Sequence, residues 1–186
     1  MSLQPHKVKF TYEDYLLFPE DGKRHELIDG EHYMTPAPST KHQRVSLNLA
    51  TAFKIFLKQH KIGEVFDAPT DVVLSPPDVV QPDLLFVSSQ RSSIITEKCI
   101  QGSPELIIEI LSETTRKTDE VIKRKLYERH DVREYWIVDP ELETVKVYRM
   151  TDQGYVRAAE LARETGDRLM TPLLPGLQIP LAEIFE

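Results

Sequence analysis

Two short apolar runs, Leu84-Leu85-Phe86-Val87 and Leu106-Ile107-Ile108, each carry an acid at one edge, and no other feature of the chain restricts its fold as much. Asp83 follows Pro82 and opens the first run; Glu109 ends the second. Runs of this length, bounded by proline and glycine, predict buried strands. A carboxylate on a buried strand is costly to keep ionised unless a cation or hydrogen-bond donors compensate it. Two such acids, on strands able to lie side by side, point to a metal site. Strand alternation sets Glu105, Ile107 and Glu109 on one face and Leu106, Ile108 and Ile110 on the other. Glu109 can therefore look into a pocket while the aliphatic side chains fill the core.

The rest of the chain alternates strands with helices. Thr11 to Phe18 predicts a short helix stopped by Pro19, and Arg24 to Met34 a hairpin turning on Asp29-Gly30. A long helix is expected from a capping box at Thr40 and Gln43 to about His60, with Val45, Leu49, Ala52, Phe53 and Phe56 at helical spacing. Glu64 to Leu74 reads as one strand interrupted at Pro69. A short helix is expected around Ile94 to Ile100, and a longer one from Thr118 to His130 with Val121, Ile122 and Leu126 inward. Glu134 to Val138 is a further buried strand, and Thr144–Met150 with Tyr155–Ala158 a meander. Beyond Ala162 the chain reads as loop, with Leu173 to Leu181 either packing on the domain or supplying an interface. The helix between the Glu109 strand and the Trp136 strand favours a right-handed parallel crossover. The expected fold is α/β (α+β), one domain over residues 1–186, with a mixed sheet.

A formal net charge of -7 argues against a generic nucleic-acid coat protein, which needs a broad positive surface. Charge is unevenly spread, however. From Arg116 to Arg133 there are seven Lys and Arg residues against four acids, so this segment is locally +3. It reads as a solvated helix face or as a basic rim beside an acidic pocket. The single cysteine, Cys99, fits a reducing compartment. Met1 to His6 lacks the apolar core of a signal peptide, and no apolar run reaches membrane-spanning length. The expected setting is the cytoplasm, without a membrane partner.

Hard cations such as Mg²⁺ take oxygen ligands and keep several waters. Asp83, Glu109 and the backbone carbonyl of Ile110 would make such a set. A metal there polarises a phosphoryl oxygen and acidifies a bound water, and a nearby ammonium offsets developing charge. Lys123 is the candidate ammonium, with Asp119 and Tyr127 four residues away on either side of its helix face; Lys125 is second choice. Glu26, before apolar Leu27 and Ile28, is a third acid able to reach the metal shell. His42 is read as a surface residue, Asp71 as a turn acid, and Tyr127 and Trp136 as packing residues.

Five segments follow one another in order: Arg24-His25-Glu26-Leu27-Ile28-Asp29-Gly30-Glu31, Gln81-Pro82-Asp83-Leu84, Glu109-Ile110-Leu111-Ser112, Lys123-Arg124-Lys125-Leu126-Tyr127 and Glu134-Tyr135-Trp136-Ile137-Val138-Asp139-Pro140. Together they resemble the Uma2 family of proposed endonucleases (the DUF820 group), within the PD-(D/E)XK restriction-endonuclease-like superfamily, over nearly the whole chain. The resemblance implies a restriction-endonuclease-like core of mixed sheet flanked by helices. It also implies Mg²⁺ (or Mn²⁺) dependent cleavage of nucleic acid, DNA favoured. A site of this kind acts on both strands of a duplex through a dimer, so a homodimer is expected. By motif, Pro82-Asp83 is the "PD", Glu109 the "(D/E)" and Glu26 the acid of the first motif. Leu111 stands where the superfamily pattern has lysine, and the resemblance moves that role to Lys123 on the following helix. Two other readings remain: a catalytically silent module of the same fold that binds nucleic acid or a protein partner, and glycoside hydrolysis by the carboxylate pair alone.

Overall fold

The central strands are apolar on both faces, and both faces are covered in the structure, a computed structural model that describes residues 8–186. The expectation drawn from Met1 to His6 lies outside the described residues. Helix α1 (Tyr12–Tyr15) precedes the hairpin of β1 (Arg24–Ile28) and β2 (Glu31–Thr35), and helix α2 (Thr40–Gln59) follows. Next come β3 (Gly63–Asp67), β4 (Val72–Ser75), β5 (Asp78–Val80) and β6 (Leu84–Ser88), a 3₁₀ segment (Ser89–Ile94), β7 (Ile100–Gln101) and β8 (Leu106–Ile110). A π-helical turn (Thr118–Lys123) runs directly into α3 (Arg124–Arg129). The chain ends with β9 (Glu134–Asp139), β10 (Thr144–Thr151), β11 (Gly154–Ala162), β12 (Arg168–Leu169), β13 (Ile179–Pro180) and α4 (Leu181–Ile184).

Six strands form one mixed sheet in the order β11-β10-β9-β8-β6-β3. Within it β8 and β9 run parallel, the expected crossover, whereas β6 lies antiparallel to β8 with Leu84 opposite Ile108. Alternation sorts the side chains as read from sequence. Leu84, Phe86, Leu106, Ile108 and Ile110 meet Val45, Leu49 and Phe53 of α2 in one core layer. Leu85, Val87, Ile107 and Leu111 meet Leu126, Tyr127 and Tyr135 in the other. Each fully buried Leu, Ile or Phe contributes ~1.5–3 kcal/mol. The fold is α/β (α+β), with a mixed central sheet between helices. Among the described residues no helix is long and apolar enough to cross a membrane.

Several local expectations are corrected. Residues 64–74 do not form one interrupted strand: β3 pairs with β6, while β4 joins a second, five-stranded sheet ordered β2-β1-β5-β4-β7. Apolar residues flank Pro69 on both sides, and only their partners distinguish the two strands. The cap of α2 is Ser39, whose hydroxyl accepts the His42 N–H at 3.2 Å, one residue before the expected Thr40. The helix expected at Ile94–Ile100 lies earlier, at Ser89–Ile94, and Ile100 instead begins β7. The chain after Ala162 carries β12, β13 and α4, and Leu174, Leu177, Ile179 and Leu181 are buried in the α2 layer. Leu173 to Leu181 therefore packs on the core. The hairpin turn is as read: Asp29 and Gly30 both have positive φ, 52° and 71°, which a two-residue type I′ turn requires.

Asp78 fastens this turn to the end of α3. It accepts the Asp29 N–H at 2.8 Å and the Ser75 hydroxyl at 2.7 Å, and meets His130 Nε2 at 3.0 Å and Arg129 Nη2 at 3.3 Å. Burial opposes ionisation, but these donors win and lower the carboxyl to about 2. A folded-state value below that of the unfolded chain gives stability above pH ~4 that is lost as pH falls toward 2. Asp78→Ala should cost ~2 kcal/mol at neutral pH and flatten this acid limb, as read from urea unfolding midpoints across pH.

Candidate active site

Three strands and one helical turn bring their polar residues to a single cavity of about 740 Å³. Alternation on β1 places Arg24 and Glu26 on one face, and both line the cavity. Asp83 sits just before β6, where continuing the β6–β8 register sets it opposite Glu109. Lys123 arrives from the crossover between β8 and β9. The structure thus brings Glu26, Asp83, Glu109, Ile110 and Lys123 to one cavity wall, and it leaves Lys125 exposed on α3.

Lys123 closes the π turn and faces inward. Asp119, Lys123, Leu126 and Tyr127 are buried there, while Val121 is 43% exposed, so the expectation of an inward Val121 is corrected. Val121 and Lys123 are two residues apart and cannot both face the core of one helix. The Lys123 ammonium donates to Oε1 of Glu26 at 2.8 Å and Oε1 of Glu109 at 2.9 Å, with Asp119 Oδ1 at 3.8 Å. Gln81 N–H adds a bond of 2.8 Å to Oε1 of Glu26, and the Tyr127 hydroxyl one of 2.7 Å to Oε1 of Glu109.

Asp83 has a separate set of partners. Its Oδ1 accepts from Arg24 Nη1 at 2.6 Å; its Oδ2 accepts from the Ile110 N–H at 2.8 Å and meets His42 Nε2 at 3.0 Å. Nδ1 of His42 is buried without a hydrogen-bond partner, so a proton on it would be an orphan donor. A carboxylate oxygen only accepts, so Nε2 donates the bond to Asp83.

The acids differ in charge state. Burial would raise Asp83, but His42 and Arg24 overcome it and hold the carboxyl below its usual range. Burial raises Glu109 to about 8, helped by Asp119, Asp83 and Glu26 and opposed by Lys123. Burial likewise lifts Asp119 to about 6. Lys123, despite burial, keeps its proton more firmly than usual because Glu109, Glu26 and Asp119 surround it.

Sequence reasoning missed three of these side chains. Arg24 stands out only as part of a segment, and its contact with Asp83 spans 59 residues. His42, read as a surface residue, is 6% exposed and bonded to Asp83. Its place three residues into α2, within reach of the cap, was the available signal. Tyr127 packs as expected, yet its hydroxyl also serves Glu109. Asp71 stands apart from the cavity wall, bonded to the Tyr15 hydroxyl and the Gln81 amide, both at 2.7 Å.

The donor chemistry fits a hard divalent cation. Six carboxyls line the cavity, Glu26, Asp83, Glu109, Glu113, Asp119 and Glu141, against four cations, Arg24, Lys41, Arg116 and Lys123, a formal acidic excess that an added cation would offset. Among the described residues no trio of His, Cys, Asp and Glu forms a ready-made metal cage. Mg²⁺ needs none: one or two carboxylates suffice, with water completing the octahedron.

Comparison with known proteins agrees with this fold. A crystal structure described as "a putative nuclease belonging to DUF820", from Anabaena variabilis, superimposes with a TM-score of 0.79 at 21% identity, covering 95% of this chain and 97% of that one. No curated protein is significantly similar. The Uma2 family model, described as "Putative restriction endonuclease", matches residues 12–182, and the chain belongs to the Uma2 family.

Proposed function

We propose that this cavity is the active site of a metal-dependent endonuclease that hydrolyses phosphodiester bonds of nucleic acid, DNA favoured. The observation that carries the reading is the convergence of Glu26, Asp83, Glu109 and Lys123, drawn from distant parts of the chain, on one wall. Asp83, Glu109 and the Ile110 carbonyl would hold Mg²⁺ or Mn²⁺. Bound there, such a cation supplies polarisation of a phosphoryl oxygen and acidification of water. Glu26 orients the Lys123 ammonium, and Lys123 offsets negative charge developing on the phosphoryl group. His42 and the Ile110 N–H fix the plane of the Asp83 carboxylate. Arg116 and Lys41 on the cavity wall, with the basic stretch beyond Arg116, receive an anionic backbone despite the net charge of -7. Both strands of a duplex require two such cavities, so the proposal includes a homodimer.

Supercoiled plasmid incubated with the protein should be nicked or linearised with Mg²⁺ or Mn²⁺ and remain intact with EDTA. Cleavage equally fast in EDTA would overturn the metal role. The competing reading, a silent nucleic-acid-binding module, gives DNA binding in a gel-shift assay with no Mn²⁺ binding and no cleavage.

A further inference from the structure

The two oxygens of Asp83 are engaged unequally. Oδ2 carries two donors, the Ile110 N–H and His42 Nε2, while Oδ1 carries one, Arg24 Nη1. A carboxylate oxygen offers two lone pairs, so Oδ2 is filled and Oδ1 retains one. The Ile110 N–H is part of the β8 backbone and cannot leave without breaking that strand, and the His42 imidazole is 6% exposed. Arg24 is different. Among the described residues its guanidinium makes a single side-chain hydrogen bond out of five possible, and its side chain is 22% exposed. Arginine and carboxylate frequently pair through two parallel bonds, and here there is one.

We propose that Arg24 is a placeholder for the divalent cation: it neutralises Asp83 through Oδ1 in the cation-free protein and yields that oxygen when a cation enters. The inference rests on the reading of the cavity as a metal site. It makes cation affinity a competition that the chain itself sets. Removing Arg24 should then tighten cation binding, the reverse of what loss of a structural brace would do.

The test is calorimetric titration of Mn²⁺ into the parent, Arg24→Gln and Arg116→Gln. Arg116 lines the same cavity but pairs with Asp139 at 2.7 Å, so it reports the effect of deleting a positive charge without freeing Asp83. Arg24→Gln should bind Mn²⁺ about tenfold more tightly than the parent, the order of one charge-assisted hydrogen bond, with Arg116→Gln within about twofold. In the parent, the Arg24 Nε–H resonance should move as Mg²⁺ saturates, a readout that needs no variant to fold. Equal or weaker binding by Arg24→Gln, equal tightening by both variants, or an unmoved Arg24 resonance at saturation would overturn the placeholder role alone. Failure of every form to bind Mn²⁺ would overturn the metal reading and this inference with it.

Discussion

Asparagine in place of Asp83, or glutamine in place of Glu109, is expected to lower plasmid cleavage by at least about a thousandfold, since each removes a carboxylate ligand of the proposed cation. The two variants should differ in stability. The Asp83→Asn side chain would keep an acceptor for the Ile110 N–H and His42 but lose the charge that compensates Arg24, so a modest loss of ~1–2 kcal/mol is expected. Glu109 is crowded by burial and by Asp119, Asp83 and Glu26, which hold its carboxyl up at about 8. Because that value lies above the unfolded one of about 4.3, its ionisation costs stability as pH rises, and Glu109→Gln escapes the cost. Glu109→Gln should therefore unfold at the same urea concentration as the parent or a higher one, while cleaving nothing measurable. Parent-like cleavage by both variants would remove Asp83 and Glu109 from the chemistry.

What the sequence exposes and what it hides divides along a physical line. The Leu106–Ile110 strand was readable because β alternation is fixed by backbone geometry, and its two faces pack as the pattern requires. The Asp29-Gly30 turn was readable because few residues tolerate positive φ. Sheet membership was not, since β3 and β4 follow one another across Pro69 and only the distant strands they pair with separate them. The inward face of the helical segment after β8 was hidden for a related reason: helical spacing offers Val121 or Lys123 to the interior, and hydropathy alone selects Val121. The outcome is reversed by Glu26 and Glu109, whose carboxyl oxygens accept from the buried ammonium. Site acids could be picked from strand edges, whereas their cationic and imidazole partners, Arg24 and His42, lie 59 and 41 residues away from Asp83 and give no local signal.

Methionine in place of Lys123 is expected to have the largest effect on stability. The substitution keeps the stem and deletes the charge, leaving Glu26, Glu109 and Asp119 facing one another without their shared cation. Breaking a buried ion pair by removing one partner costs ~3–5 kcal/mol when the other stays charged. These acids can escape part of that cost by taking up protons, which makes the loss pH-dependent with a definite sign. Glu109 and Asp119 stand at about 8 and about 6 with Lys123 present and pulling both down; without it they rise further. Carboxyls whose folded values exceed their unfolded ones favour folding below pH ~4 and lose that contribution as pH rises. Lys123→Met should thus approach the parent in stability near pH ~5 and fall increasingly behind it toward pH ~9, as followed by urea midpoints at about unit steps. Adding Glu109→Gln removes one of the stranded acids and should recover ~1–3 kcal/mol at alkaline pH. Cleavage should stay lost in that double variant, because restoring the ion balance does not restore the ammonium beside the phosphate. A Lys123→Met protein as stable as its parent at every pH would mean that the ammonium does not hold the acids together, and a double variant that regains cleavage would mean that Lys123 serves only to fold the site.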